Sequence, residues 1–416
     1  MKKIIIISIT VLLILLVTFF GWYLIVKSPD SSAGEAIRGI LPFGTAGDTG
    51  QPTTNPSTPL GASDQSTTDE FGKPTTSLFR ISMEPVAGAV ILSKGTSTTL
   101  VRYVDRATGH IYESNLATLA KTKITNQTLP KIYEAYFRPD GNAVLFRSLQ
   151  NDSDVVENFS LSLTPPKATL ASTSSPQATD GLYTVSATAL RGDISAVAVG
   201  SGNTLFYALR DTKSLVSSTF SGTGTKTVFT SPFTDWRLVT TGNNLVIYTK
   251  ASAYVPGYAY TLNTLNRTLT KIIGPLNGLT VMPNASGNRI LYSYTEGGGT
   301  KLFANNLQSK DVSEIFPATL AEKCVWSVKK VDVVFCGVSA GGLGFGEPDS
   351  WYRGATHFSD SIWLFDTNTD IAQVLIEPKV SLDVDIDVSE LKLSPNEDYL
   401  VFTNRNDLTL WAFKLE

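Results

Sequence analysis

Seven short runs, each nearly continuous in apolar residues, recur along the chain: "TLVRYVD" at Thr99, "AVLFRSL" at Ala143, "TLFYALR" at Thr204, "LVIYTK" at Leu245, "ILYSYT" at Ile290, "VVFCGV" at Val333 and "LVFTNR" at Leu400. Start to start they lie 44, 61, 41, 45, 43 and 67 residues apart, so four of the six spacings fall between 41 and 45. A period near 40–45 residues is that of a four-stranded propeller blade. Runs without apolar–polar alternation need cover on both faces, which sheets stacked face to face supply. A strand precedes each run across a turn such as "RPDGN" or "SPNED", where Pro, Asp, Asn and Gly supply turn conformations. Another strand follows each: "IYESNL", "NFSLSL", "GYAYTLN", "KLFANNL", "IWLFDT" and "LTLWAF" are clear, and the third unit has only the weaker "VSSTFS". A less apolar fourth segment closes the unit, as in "LTKII", "VSEIF" or "IAQVLI".

The units thus read as strands A, B, C and D, and the seventh stops after strand C. "TSLFRISM" (Thr76 to Met83) has strand character and belongs to no other unit. Paired with Leu410, Trp411 and Phe413 it would complete the seventh sheet and cover an exposed edge. The expectation is an all-β, seven-bladed β-propeller closed by an N-terminal strand; six or eight blades remain open, because the first and third units are the least regular. At these residues the chain resembles the WD-repeat and Tol-associated propellers, the "RPDG" at Arg138 and "SPNED" at Ser394 matching the latter's blade turns. No blade carries a Trp-Asp dipeptide after strand C. "EPVAGAV", "RATGHIYE", "KCVWS", "DSWYRG" and "FSDSIW" are similar to a group of membrane-anchored bacterial propellers over most of residues 77–416. That resemblance implies fold and location, and no activity.

Ahead of the repeats, Ile4 to Val26 form an uncharged apolar run of 23 residues. As a helix it spans about 35 Å, enough for a bilayer core. "SSA" before Gly34 offers a signal-peptidase alternative, but the run exceeds the ~7–15 residues of a signal peptide's apolar region. Lys2 and Lys3 favour a cytoplasmic N-terminus, with Lys27 and Arg38 opposing them. Residues 1–27 are therefore expected to be a single-pass transmembrane anchor. Residues 28–76, rich in Ser, Thr, Pro and Gly, are expected to be a disordered linker spanning roughly 40 Å. Within it, Ala36 to Gly44 form an apolar island. Residues 77–416 form the propeller, expected outside the cell membrane. A net charge of −3 with 17% charged residues lacks the basic stripe that nucleic acid requires.

Cys324 and Cys336 fall on strands A and B of the sixth unit, opposite each other across the turn near Lys330, and a disulfide is expected; two buried free thiols are the alternative. Such a bridge fits an extracytoplasmic compartment. Two long insertions, Thr164 to Asp193 and Ser339 to Asp360, are both expected at one end of the disc. The second holds the candidate binding residues Asp349, Trp351, Tyr352, Arg353, His357 and Asp360, since aromatics with a few charges on a long loop make a recognition surface. The same loop could instead fold back with Trp351 as a plug. "LDVDIDVSE" sets Asp383, Asp385 and Asp387 at alternate positions, a possible Ca²⁺ site if they share one strand face; no other cofactor is suggested. "GVSAG" (Gly337 to Gly341) fits G-x-S-x-G, but "GGLGFGEPDS" cannot supply the helix that a nucleophile elbow needs. The functional expectation is a binding or scaffolding module for a protein or cell-envelope ligand. The alternative is a hydrolase or lyase of extracytoplasmic glycan or peptide working through carboxylates such as Glu322, Asp349 and Asp383. Two carboxylates facing each other in a pocket, one in an apolar setting, would favour the second.

Overall fold

A computed structural model describes residues 74–95, 98–150, 155–166 and 181–415. The expected anchor and most of the linker lie outside them. Among the described residues no helix is long and apolar enough to cross a membrane. The strands form seven antiparallel sheets of four. Six follow chain order: blade 1 covers residues 86–123, blade 2 132–189, blade 3 194–230, blade 4 236–277, blade 5 280–315 and blade 6 324–376. From blade 1 to blade 7 the first strand of each blade touches the first strand of the next, and Lys392 of blade 7 strand A donates to the Ala89 carbonyl of blade 1 strand A, so the A strands surround a common axis. Blade 7 takes strand A from Val388–Leu393, B from Tyr399–Asn404 and C from Leu410–Lys414. Its strand D is Leu78–Arg80, with Leu78 opposite Phe413 and Arg80 opposite Trp411. The Ile81 amide donates to the Leu410 carbonyl at 2.7 Å. The ring is closed by the N-terminal strand, as its apolar pattern predicts.

The continuous apolarity of the B strands has the expected cause. Val144, Leu145 and Phe146 of blade 2 are fully covered, although their side chains leave opposite faces of the sheet. Phe146 packs with Val104 of blade 1, while Leu145 packs with Leu205 of blade 3. Near the axis the sheets come closest: a Cβ on Gly88, in blade 1 strand A, would lie 2.1 Å from the carbonyl oxygen of Ala135 in blade 2. Only glycine fits there.

Cys324 and Cys336 are directly opposite in register and form a disulfide. Both are fully buried beside Trp326 and Val334. Closing a loop of 12 residues restricts the unfolded chain, so Cys324→Ser/Cys336→Ser should lower stability by about 3 kcal/mol. Chemical denaturation under non-reducing conditions reads this as a lower midpoint with unchanged slope.

Strand A starts, B–C links and D–A links lie at one end of the disc, here the upper face; A–B and C–D links lie at the lower face. The sixth-blade insertion connects strand B (Val333–Ser339) to strand C (Asp360–Asp366), and belongs to the upper face. The second-blade insertion does not, contrary to the sequence expectation. Strand D of that blade is Thr184–Ala189, which pairs with strand C from Phe159↔Ala189 to Thr164↔Thr184. The long stretch therefore joins strand C to strand D, whose facing ends lie at the lower face, with residues 167–180 outside the described residues, and residues 190–193 alone make the D–A link. Strand D of blade 7 also begins at the lower face, where the Lys414 amide donates to the Ser77 carbonyl.

Candidate functional site

The sixth-blade insertion leans across two neighbouring blades instead of standing free. It carries one short helix, α1 (Asp349–Tyr352). Asp349 Oδ2 accepts the Ala253 amide of the blade 4 B–C link at 2.7 Å. Thr295 of blade 5 donates its hydroxyl to the Glu347 carbonyl at 2.9 Å. The Phe345 ring occupies the space over Gly298, the turn glycine of blade 5. Inside the loop, Glu347 Oε2 accepts the Trp351 amide at 2.9 Å.

Beneath the insertion lies a sealed ion cluster. Lys323 Nζ sits 2.6 Å from Asp360 Oδ2 and 2.8 Å from Asp387 Oδ1, and all three side chains are fully buried. Lys323 ends the 3₁₀ turn that leads into strand A of blade 6, Asp360 opens strand C of that blade, and Asp387 precedes strand A of blade 7. The Trp351 indole donates to Asp387 Oδ2 at 2.9 Å, and the Val388 amide donates to Asp360 Oδ2 at 2.7 Å. The rings of Trp351 and Phe358 stand over the ammonium at 5.4 and 4.5 Å. Burial pushes the Asp360 carboxyl up and the ammonium opposes this. The cluster joins two blades and seats the insertion upon them.

Above it, residues of blades 4, 6 and 7 meet at the upper mouth of the axis. Tyr352 donates its hydroxyl to the Glu322 carboxylate. Arg405, in the B–C link of blade 7, donates from Nη2 to the carbonyls of Trp351 (2.7 Å) and Tyr352 (3.2 Å), with its guanidinium 4.5 Å from the Trp351 ring. Arg237, in strand A of blade 4, lies 6.0 Å from the Tyr352 ring centre. Burial pushes the Glu322 carboxyl up, opposed by the Tyr352 hydrogen bond and by the charges of Arg237, Arg405 and Lys323. Burial, reinforced by Glu322, also raises Tyr352 and Tyr248.

The Glu322 shift carries a sign. A carboxyl held above its unfolded value of 4.5 binds its proton more tightly in the folded state. Its contribution to stability is full below that value and declines as pH rises through the folded pKa. Glu322→Gln keeps an acceptor for Tyr352 and removes the titration. The difference in melting temperature, variant minus wild type, should therefore grow as pH rises above 4.5, by a few degrees at most, in scans across that range. A difference that does not change with pH would contradict this.

The six candidate binding residues separate. Trp351 is buried, serving as the plug that the loop reading held as an alternative, and Asp360 is buried in the ion cluster; neither is open to a ligand. Asp349 is committed to Ala253. Tyr352 is half-buried at the mouth, and Arg353 and His357 are exposed. The proposed Ca²⁺ ligands do not converge, because residues 383–387 form a link and not a strand. Asp383 and Asp385 each pair with Lys379 at 3.0 Å, whereas Asp387 turns inward to Lys323. Among the described residues no group of three His, Cys, Asp or Glu is arranged to hold a metal. Asp360 and Asp387 do face each other, but across an ammonium and out of reach of solvent, so the geometry that would favour carboxylate catalysis is not formed there. Sequence reasoning missed Lys323, Arg237 and Arg405. Nothing local marks Lys323 as buried, and the arginines meet Tyr352 only through blade packing.

No protein-family model and no curated protein matches the chain. Among solved structures it is similar to an oligogalacturonate lyase in complex with manganese, at 10% identity and a TM-score of 0.48, covering 80% of this chain and 97% of that one. It is also similar to the Kuenenia stuttgartiensis hydrazine synthase, at 14% identity and a TM-score of 0.45, covering 68% and 76%.

Proposed function

We propose that this chain is a single-pass, membrane-anchored propeller held outside the cytoplasm, and that it binds a protein or cell-envelope ligand on its upper face. The observation that carries this reading is the insertion itself. It is pinned to blades 4, 5, 6 and 7 by polar contacts and a buried ion cluster, yet it holds Phe345 83% exposed, and Tyr254, whose hydroxyl lies against the adjoining Gly346, is 74% exposed. Exposed aromatic side chains on an immobilised loop lose little entropy on binding and suit a recognition surface. Support for the location comes from the apolar run at residues 4–26 and from the Cys324–Cys336 disulfide, a bond characteristic of oxidising compartments. Strand D of blade 7 begins at the lower face, opposite the insertion. Asp360 and Asp387, the carboxylates that face each other beneath the insertion, are sealed around Lys323 and closed to a substrate.

The test is affinity capture from membranes with the tagged full-length chain and with a Phe345→Asp/Tyr254→Asp variant. A partner retained by the first and lost by the second supports the reading. Equal capture by both refutes it.

A further inference from the structure

We infer that the upper mouth of the axis carries an oxyanion site, in which Arg237 and Arg405 bracket a carboxylate or phosphate group of the bound ligand. This rests on the upper face being the binding face and adds the chemistry of what is bound.

Tyr352 is the shared neighbour of both guanidiniums. Arg237 approaches its ring from blade 4, and Arg405 reaches its carbonyl from blade 7. Neither guanidinium has a carboxylate bonded to it. Among the described residues the Arg237 side chain makes no hydrogen bond or ion pair; it contacts the Tyr352 ring, and its charge acts on Glu322 without a bond to it. The donors of Arg405 reach two backbone carbonyls through Nη2 alone, and its Nε is buried without a partner. Glu322 is the nearby carboxylate, and it is occupied by the Tyr352 hydroxyl. A buried guanidinium donor left unbonded, as Arg405 Nε is, is costly, and the half-buried Arg237 leaves its donors free for a ligand beside it. A planar carboxylate or a phosphate matches their forked geometry. The Trp351 ring lies 4.5 Å from the Arg405 guanidinium and packs against it. General attraction cannot stand in for such a site, because the chain as a whole has a net charge of −3.

Isothermal titration calorimetry of the full-length protein with citrate and, separately, with inorganic phosphate tests this, with Arg237→Gln as the variant. Arg237 makes no hydrogen bond in the free protein, so the fold should survive its loss, which a retained cooperative melting transition verifies. Arg405→Lys, which keeps the charge and one carbonyl bond, is the second variant. The expected result is saturable binding of at least one anion, weakened about tenfold or more by Arg237→Gln and less by Arg405→Lys. Citrate alone would assign a carboxylate, phosphate alone a phosphate; either supports the site. Binding of neither anion, or binding unchanged in both variants, overturns it. The two readings fail separately: a partner captured through Phe345 and Tyr254 but untouched by Arg237→Gln and not displaced by either anion leaves the binding face standing and removes the oxyanion site.

Discussion

Lys323→Met should destabilise the protein by about 3–5 kcal/mol, the cost of leaving buried charge without its partner. The ammonium is the common counter-charge of Asp360 and Asp387, all three side chains being fully buried. Removing it leaves two fully buried carboxylates next to each other, and both must then bind protons or the cluster must open. Opening also releases Trp351, whose indole donates to Asp387, and with it the insertion. The compensated variant Lys323→Met/Asp360→Asn/Asp387→Asn removes the charges together and should recover most of the loss, because exchanging a buried ion cluster for neutral groups is far milder than breaking it. Thermal and urea unfolding of both variants read the effect. A Lys323→Met protein as stable as wild type would mean that the cluster holds nothing together.

The closing strand is expected to have a still larger effect. Leu78 packs with Ile362 of blade 6 and Leu400, Phe402 and Trp411 of blade 7, whereas Phe79 joins Val101 and Tyr103 of blade 1 and Tyr399 and Val401 of blade 7. Consecutive residues of one strand thus bury against opposite neighbours, and both are at most 1% exposed. Single truncations of this kind cost about 2–5 kcal/mol for Leu and 3–5 for Phe. The two lie on different faces with few shared partners, so the losses should roughly add. Their sum rivals the whole stability of a typical domain, about 5–15 kcal/mol. Leu78→Ala/Phe79→Ala should therefore fail to close the ring, exposing the Leu410–Lys414 edge and associating through it. Size-exclusion chromatography and circular dichroism are expected to show oligomers or loss of the cooperative transition. A monomer melting within a few degrees of wild type would contradict the closure.

What the sequence disclosed follows from where its patterns are strong. The B strands could be read because both faces are covered and their composition says so, and the pairing of residues 78–80 with 411–413 followed from a strand lacking a sheet beside a sheet lacking a strand. The cysteine pair was legible because a tight A–B turn leaves little freedom in register. Strand D of blade 2 was not: "TVSATA" is exposed along almost its whole length, so no apolar pattern told where it begins, and the long link was placed at the wrong end. Asp383, Asp385 and Asp387 alternate as a strand would, but Asp383 adopts a left-handed conformation after α2 (Pro378–Leu382), and Asp387 turns away from the other two, which share Lys379. The mouth was hidden for another reason. Glu322, Arg237 and Arg405 belong to three blades, and their meeting at Tyr352 is set by ring geometry and by an insertion whose path depends on contacts with blades 4 and 5.

The most direct measurement places a photo-reactive amino acid at Phe345 on the upper face and, separately, at Val328 in the blade 6 A–B turn on the lower face, in the full-length chain in native membranes. Both positions are exposed, at 83% and 70%. A binding upper face predicts a discrete covalent adduct with a partner from position 345 and none from position 328. Adducts from position 328 only, or lipid adducts from position 345, would contradict it.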